Sequence, residues 1–392
     1  MYLADERENM KVLYMSHRYH TNQNTIMKGW KENGHEICFI SQFAGKIEDY
    51  TYVKPIVLGY GAVFRAFDWF YINVLFRKKS NAIDMKLKCG WPPIRKMVKI
   101  IREFQPDVAI IRERSIYSIC MTAICRYYHI PTILYNLSPV WDFKFKDDLA
   151  HKLVWKLTPK YRMTPVDVVG ISYDGKKKDE NSFWAPFLME PQLSYNERKY
   201  FQNDRINLFC IGKYQERKNL WMMVYAVERL GKKYPLHLTI TGELSNHFHQ
   251  EYYDKITGYV KEHGMENQVS FYTNLNKKRV MEEYANADLY VIPSTGEPAS
   301  ITVIEGMAFS IPVISGSDNG SANYIENGKT GYVFEDCDQR DLEEKIELII
   351  QDKNNMMEMG KAAYEHVKKN FQFDRYYGVV EEILREQKKE RE

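Results

Sequence analysis

Short apolar runs alternate with stretches whose apolar residues recur at helical spacing along most of the chain. Lys11-Val12-Leu13-Tyr14-Met15 reads as a strand, residues 26–33 as a helix ending at Gly34, and Glu36-Ile37-Cys38-Phe39-Ile40 as a second strand. A helix over 94–104, a strand at Val108-Ala109-Ile110-Ile111, a helix over 116–128 and a strand at Thr132-Ile133-Leu134-Tyr135 continue the rhythm. Another strand is predicted over 166–172, before a charged surface loop at 174–181. The pattern breaks up between Phe187 and Arg205 and then restarts with the strand Ile206-Asn207-Leu208-Phe209-Cys210-Ile211. Strands at Leu236-His237-Leu238-Thr239-Ile240, Val269-Ser270-Phe271-Tyr272, Asp288-Leu289-Tyr290-Val291-Ile292 and Pro312-Val313-Ile314-Ser315 follow, with helices predicted up to Leu230 and over 252–263, 278–285 and 342–350. Two such alternating series predict an α/β protein of two Rossmann-like, doubly wound domains, residues 1–200 and 201–370, with a terminal segment 371–392 that ends in a helix.

A chain of 392 residues fits two domains, and its 44% hydrophobic and 27% charged residues are those of a soluble globular protein. No apolar run approaches the roughly 20 residues of a membrane span. The polar start Met1-Tyr2-Leu3-Ala4-Asp5-Glu6-Arg7-Glu8 lacks a signal-peptide core, so a cytoplasmic location is expected. Cys38, Cys89, Cys120, Cys125, Cys210 and Cys337 show neither metal-ligand nor disulfide-framework spacing and read as core thiols. The net charge of +3 conceals an asymmetry of about +10 over residues 1–200 against about −7 over the remainder. A basic half suits nucleic acid, an anionic membrane face, or solubility alone.

Residues 62–79 sharpen that choice. Val63, Phe64, Phe67, Trp69, Phe70, Ile72, Val74, Leu75 and Phe76 stand beside Arg65, Arg77, Lys78 and Lys79. Rings at headgroup level with cations on anionic lipid would place this segment in a membrane interface, whereas a core helix with a solvated basic end is the plainer reading. The run His151-Lys152-Leu153-Val154-Trp155-Lys156-Leu157-Thr158-Pro159-Lys160-Tyr161-Arg162, similar in character, tips the reading toward the inner face of a membrane, with no nucleic-acid partner.

Candidate chemistry concentrates in Pro293-Ser294-Thr295-Gly296-Glu297-Pro298-Ala299-Ser300-Ile301-Thr302-Val303-Ile304-Glu305-Gly306-Met307-Ala308. An apolar strand runs into turn residues, then into apolar positions at helical spacing, so Glu297 falls in a loop and Glu305 within a helix. The amides of Ala299, Ser300, Ile301 and Thr302 at the helix start form an anion site, bracketed by two carboxylates that accept hydroxyl hydrogens. Upstream, Gly212-Lys213-Tyr214-Gln215-Glu216-Arg217-Lys218 follows the strand ending at Ile211, and its lysines can meet the charge that develops on a departing phosphate.

These blocks resemble the carboxyl-terminal signature of glycosyltransferase family 4, the retaining GT-B glycosyltransferases. The likeness runs through Gly212-Lys213 with Lys218, then Pro293-Ser294 with Glu297 and Glu305, Ser310-Ile311-Pro312-Val313-Ile314, Asn319-Gly320, and Tyr324 to Val333, covering most of residues 206–335 in order. It implies a GT-B fold with two domains facing a central cleft, and a metal-independent transfer that needs no cofactor beyond its nucleotide-diphosphate sugar, UDP- or GDP-linked. The acceptor it implies is a glycan or lipid-linked molecule, as in bacterial surface polysaccharide assembly. By that resemblance Glu297 meets hydroxyls of the donor sugar, Glu305 meets the ribose, Lys213 and Lys218 meet the diphosphate, and Gly212 and Thr273 join the donor site. The terminal helix would cross back onto the first domain.

The chain departs from its family at three places. Lys213 stands where many members have arginine, Thr21-Asn22-Gln23-Asn24 where many have a glycine pair, and Asn136 where many have a histidine near the reacting sugar. Asp336-Cys337-Asp338 spells the metal-binding pattern of a different glycosyltransferase fold, but it follows a strand in a surface-like stretch and reads as no metal site. His17, His20 and His35 lack ligand spacing. Two rivals stay open: a GT-B-fold sugar-nucleotide epimerase, and a non-catalytic sugar-nucleotide-binding partner protein.

Overall fold

The computed structural model describes residues 9–19, 23–45, 50–70, 74, 90–112, 115–137, 156–166, 181–390 and 392. The opening unit forms as β1 (Lys11–Ser16), the helix Asn24–Glu32 and β2 (Glu36–Ser41). β3 (Ile56–Val57), β4 (Val108–Arg112), β5 (Thr132–Tyr135), β6 (Arg162–Thr164) and β7 (Ser182–Trp184) complete a parallel sheet in the order β3-β2-β1-β4-β5-β6-β7. All five residues of β4 are buried, as a parallel strand covered on both faces must be.

A second parallel sheet contains β8 (Ile206–Ile211), β9 (Leu236–Gly242), β10 (Val269–Thr273), β11 (Leu289–Ile292), β12 (Val313–Gly316) and β13 (Gly331–Phe334). Its order is β10-β9-β8-β11-β12-β13. The chain winds outward from β8 to β10, then returns to the other side of β8, so the winding reverses between β8 and β11. At such a reversal the loops leaving the two strands diverge and leave a crevice at their carboxyl ends.

The chain divides into two compact units, Met1–Leu188 with Phe373–Glu392, and Met189–Gln372. The units part about a dozen residues before the boundary expected at 200/201, because the stretch after Leu188 is tied to the second unit by hydrogen bonds that leave no apolar period. The amides of Gln192 and Leu193 donate to the Ala308 carbonyl, Arg198 donates to the Phe309 carbonyl at 2.7 Å, and the Tyr200 hydroxyl donates to the Ser310 carbonyl at 2.8 Å. The terminal helix Phe373–Lys389 lies in the first unit. There the fully buried Trp30 meets Phe373 and Tyr377 edge-on, with ring centroids 5.2 and 5.7 Å apart.

Some expectations need adjustment. Val166 follows β6 outside any strand, and the remainder of the strand expected over 166–172 lies outside the described residues, as does the loop 174–180. A helix not anticipated above, Lys353–Asn370, turns Met356, Met359, Ala363 and Val367 inward and packs on the helix Thr302–Ala308. Cys38, Cys125 and Cys210 are core thiols, whereas Cys120 is half-buried and Cys337 is exposed; Cys89 lies outside the described residues. His20, Thr21, Asn22 and residues 138–155 also lie outside them, and of the segment 71–79 only Val74 is described. Among the described residues, no helix is long and apolar enough to cross a membrane.

Candidate functional site

At the carboxyl end of β8, Gly212 and Lys213 lead into a tight turn, Glu216–Lys218, before the helix Leu220–Leu230. At the carboxyl end of β11, the loop 293–301 leads into the helix Thr302–Ala308. The Thr295 amide donates to the Arg217 carbonyl at 3.0 Å and joins the two loops across the point where the winding reverses. There Lys218 Nζ donates to Glu297 Oε2 at 2.5 Å, and Arg217 donates to the same oxygen at 2.8 Å. The Lys218 and Glu297 side chains are each 15% exposed, so the pair is mostly withdrawn from water yet reachable.

The glycine before this turn has a steric reason. A Cβ on Gly212 would stand 3.2 to 3.3 Å from Cβ, Cγ and Cδ of Lys218, so the bare backbone makes room for the lysine stem. Lys213 points elsewhere. Its ammonium pairs with Glu243 at 2.8 Å beyond β9, and that bond holds the Glu243 carboxyl below its ordinary range. Both side chains are about half exposed, and such a pair contributes only about 0–1 kcal/mol, so Lys213 is weakly held.

Glu297 is held by its backbone as well as by its carboxylate. Its amide donates to the Asp318 carbonyl at 3.2 Å, and the Gly320 amide donates to the Glu297 carbonyl at 2.9 Å. Asp318 Oδ2 accepts the Gly296 amide at 2.7 Å, and Asp336 Oδ2 accepts the Thr295 hydroxyl at 2.8 Å. Asp338 accepts the amides of Arg340 and Asp341 and caps the helix Gln339–Ile350. Both carboxylates of the Asp-x-Asp pattern therefore have partners within the protein. Sequence reading missed Arg217, Asp318 and Thr295 as parts of this site; only the position of Arg217 beside Lys218 offered a signal.

Glu305 lies in the first turn of its helix, where the Tyr284 hydroxyl donates to Oε2 at 3.1 Å. Burial pushes its carboxyl above the ordinary range, and the Tyr284 bond opposes that push. Tyr284 is fully buried and stacks on Phe309 with centroids 5.5 Å apart, which fixes the direction of its hydroxyl.

The expected row of helix-start amides is incomplete. The helix begins at Thr302, and the Ser300 amide already donates to Ser321 Oγ at 2.9 Å because the turn after Asn319 folds over it. The Ser300 and Thr302 hydroxyls bond each other at 2.7 Å. Ala299 and Ile301 lie in the same approach to the helix. Thr273 ends β10, exposed and paired with Gly242 at the same carboxyl edge, two strands out from β8. Asn136 belongs to the first unit, half-buried after β5, with its amide donating to the Met163 carbonyl at 2.9 Å. The second unit thus brings together Gly212, Lys218 and Glu297, sets Glu305 of the helix that follows the 299–302 segment against Tyr284, and turns Lys213 toward Glu243.

A family model described as glycosyl transferases group 1 matches residues 194–366. The chain is 30% identical over 102 residues to a sulfoquinovosyl transferase of Arabidopsis thaliana, covering 25% of this chain and 20% of that protein. It is 25% identical over 217 residues to mannosylfructose-phosphate synthase of Agrobacterium fabrum, covering 51% and 47%. These matches span between a fifth and about half of the length of the curated relatives. Among solved structures, a glycosyltransferase from Rickettsia africae superposes with a TM-score of 0.71 at 14% identity, over 96% of this chain and 99% of that one. Anabaena HepE in complex with UDP gives a TM-score of 0.71 at 13% identity, over 96% and 100%. At such identities the structural likeness establishes the fold, that of the GT-B glycosyltransferases.

Proposed function

We propose, from the membership of residues 194–366 in the glycosyl transferases group 1 family, that the chain transfers a sugar from a nucleotide-diphosphate donor to a glycan or lipid-linked acceptor. The observation that carries this reading is the convergence of Lys218 and Arg217 on Glu297 where the winding of the second sheet reverses. The donor is UDP- or GDP-linked; the UDP complex of the Anabaena relative favours the first. Lys218 and Lys213 receive the diphosphate, assisted by the amides of Ala299, Ile301 and Thr302. The amide of Ser300 joins them only if Ser321 releases it. Glu297 accepts hydroxyls of the sugar, Glu305 those of the ribose, and Gly212 and Thr273 border the donor. Asn136 serves on the acceptor side, in the first unit.

In this reading the acceptor oxygen attacks the anomeric carbon on the face the diphosphate leaves. The bond from that carbon to the phosphate oxygen breaks as the new glycosidic bond forms, and the departing phosphate oxygen takes the acceptor's proton. Configuration is retained, and lysine charge meets the developing phosphate charge without a metal ion. Incubation with a panel of UDP- and GDP-sugars should give slow hydrolysis of one donor. Release of an epimerised sugar would favour an epimerase instead, and binding without any turnover would leave only a sugar-nucleotide-binding protein.

The reading extends to a peripheral place on the inner face of a membrane, as in surface polysaccharide assembly. Nine of the sixteen exposed large apolar side chains among the described residues lie between Ile56 and Ile94, too dense a cluster for chance scatter over the surface. Val63, 86% exposed, and Phe67 border an apolar groove of about 670 Å³ closed by Trp91 and Ile116, with Arg65, Arg95 and Lys96 exposed nearby. Cations beside anionic lipid contribute about 1 kcal/mol each. Co-sedimentation with anionic vesicles at low salt should therefore be strong and should fall several-fold in Val63→Glu; wild-type chain left wholly in the supernatant would remove the membrane role.

A further inference from the structure

We propose that Arg217 is a further cation on the leaving diphosphate, acting beside Lys218. This rests on the donor-site reading above. Arg217 and Lys218 are consecutive in the turn Glu216–Lys218, which the left-handed Asn219 closes at φ +46°. The Lys218 amide donates to the Gln215 carbonyl at 2.9 Å, and the Arg217 carbonyl accepts the Thr295 amide at 3.0 Å. The turn is therefore fixed against the Glu297 loop, and its two cations face the same place.

The shared acceptor adds to the geometry. Both cations end on one oxygen of one carboxylate, at 2.8 and 2.5 Å, so neither has that oxygen to itself. A diphosphate carries enough charged oxygens to take each cation separately. Arg217 engages Glu297 through one terminal nitrogen, which also lies 3.5 Å from the Thr295 carbonyl and 3.4 Å from the Gly296 carbonyl. A guanidinium has five N–H donors in a fork that matches two phosphate oxygens, whereas an ammonium is a point charge. Its side chain is 41% exposed, so it can turn from carboxylate to phosphate without disturbing the core. Diphosphate binding then draws both cations from Glu297 and leaves that carboxylate for the sugar hydroxyls, which orders the events: phosphate first, sugar contacts second.

The test is calorimetric binding of UDP and GDP, together with kcat and KM for donor hydrolysis, in wild type, Arg217→Gln, Arg217→Lys and Lys218→Gln, each checked by circular dichroism. Arg217→Gln should weaken nucleotide binding about tenfold and lower kcat/KM about 100-fold, with partial recovery in Arg217→Lys. Arg217→Gln within about threefold of wild type would overturn the assignment. Lys218→Gln separates the two claims. If it loses binding while Arg217→Gln does not, only the role of Arg217 falls. If neither variant alters binding, or wild type binds neither nucleotide, the donor site itself is misplaced.

Discussion

Glu297→Ala and Lys218→Ala are each expected to lower sugar transfer by about three orders of magnitude, equivalent to about 4 kcal/mol of transition-state stabilisation, while the chain stays folded. The fold should survive because the Glu297 loop is held through its backbone, by the Asp318 carbonyl and the Gly320 amide, and does not depend on the carboxylate alone. The two variants should fail differently. Lys218→Ala removes a cation that meets phosphate in the bound donor and meets it more strongly as charge develops in the transition state, so UDP affinity and kcat should fall together. Glu297→Ala frees both cations from their carboxylate, so UDP should bind at least as well as to wild type while kcat collapses for want of a sugar contact. UDP titration beside donor hydrolysis and transfer assays reads both effects. Near-normal turnover in either variant would sink the assignment of this site.

Much of that site was legible because its determinants are local. The apolar run before Pro293 marks β11, the turn residues place Glu297 in a loop, and helical spacing places Glu305 within a helix. Partner choice was not legible, because it depends on strand order. Lys213 lies at the mouth of β8, and whether it turns toward β9 or β11 follows only once both are known to flank β8. Likewise the amide of Ser300 is taken by Ser321, twenty-one residues away, through a turn whose folding over the helix start leaves no periodic mark. The first unit shows the same limit in its short strands. β6 and β7 have three residues each, too few for an alternation to be recognised, and they persist by pairing with each other and with β5.

Gly242→Ala should be among the most damaging small substitutions in the second unit, lowering stability by about 3 kcal/mol or more. Gly242 ends β9 in ordinary extended backbone, so space alone excludes a side chain there. An added Cβ would lie 2.0 Å from the Gly212 carbonyl oxygen and 3.0 Å from Cε2 of Tyr214. A backbone oxygen cannot rotate aside, so the carboxyl ends of β8 and β9 would have to part. They are tied there by the Gly212 amide on the Thr241 carbonyl at 3.0 Å, and the Tyr214 hydroxyl on the Tyr272 carbonyl at 2.7 Å extends the tie to β10. Gly212 also supports the stem of Lys218, so displacement at Gly242 reaches the cation within two contacts. Thermal unfolding should show the transition of the second unit well below wild type, and the folded fraction should bind UDP about tenfold more weakly. Gly258→Ala is the control. It lies within the helix His247–Glu262 with no atom within 4 Å of its added Cβ, so it should stabilise by about 0.5–1 kcal/mol. Were the two variants to melt alike, the ends of β8 and β9 would be free to separate, and the close approach of Gly212 and Gly242 could not be what sets Lys218 in place.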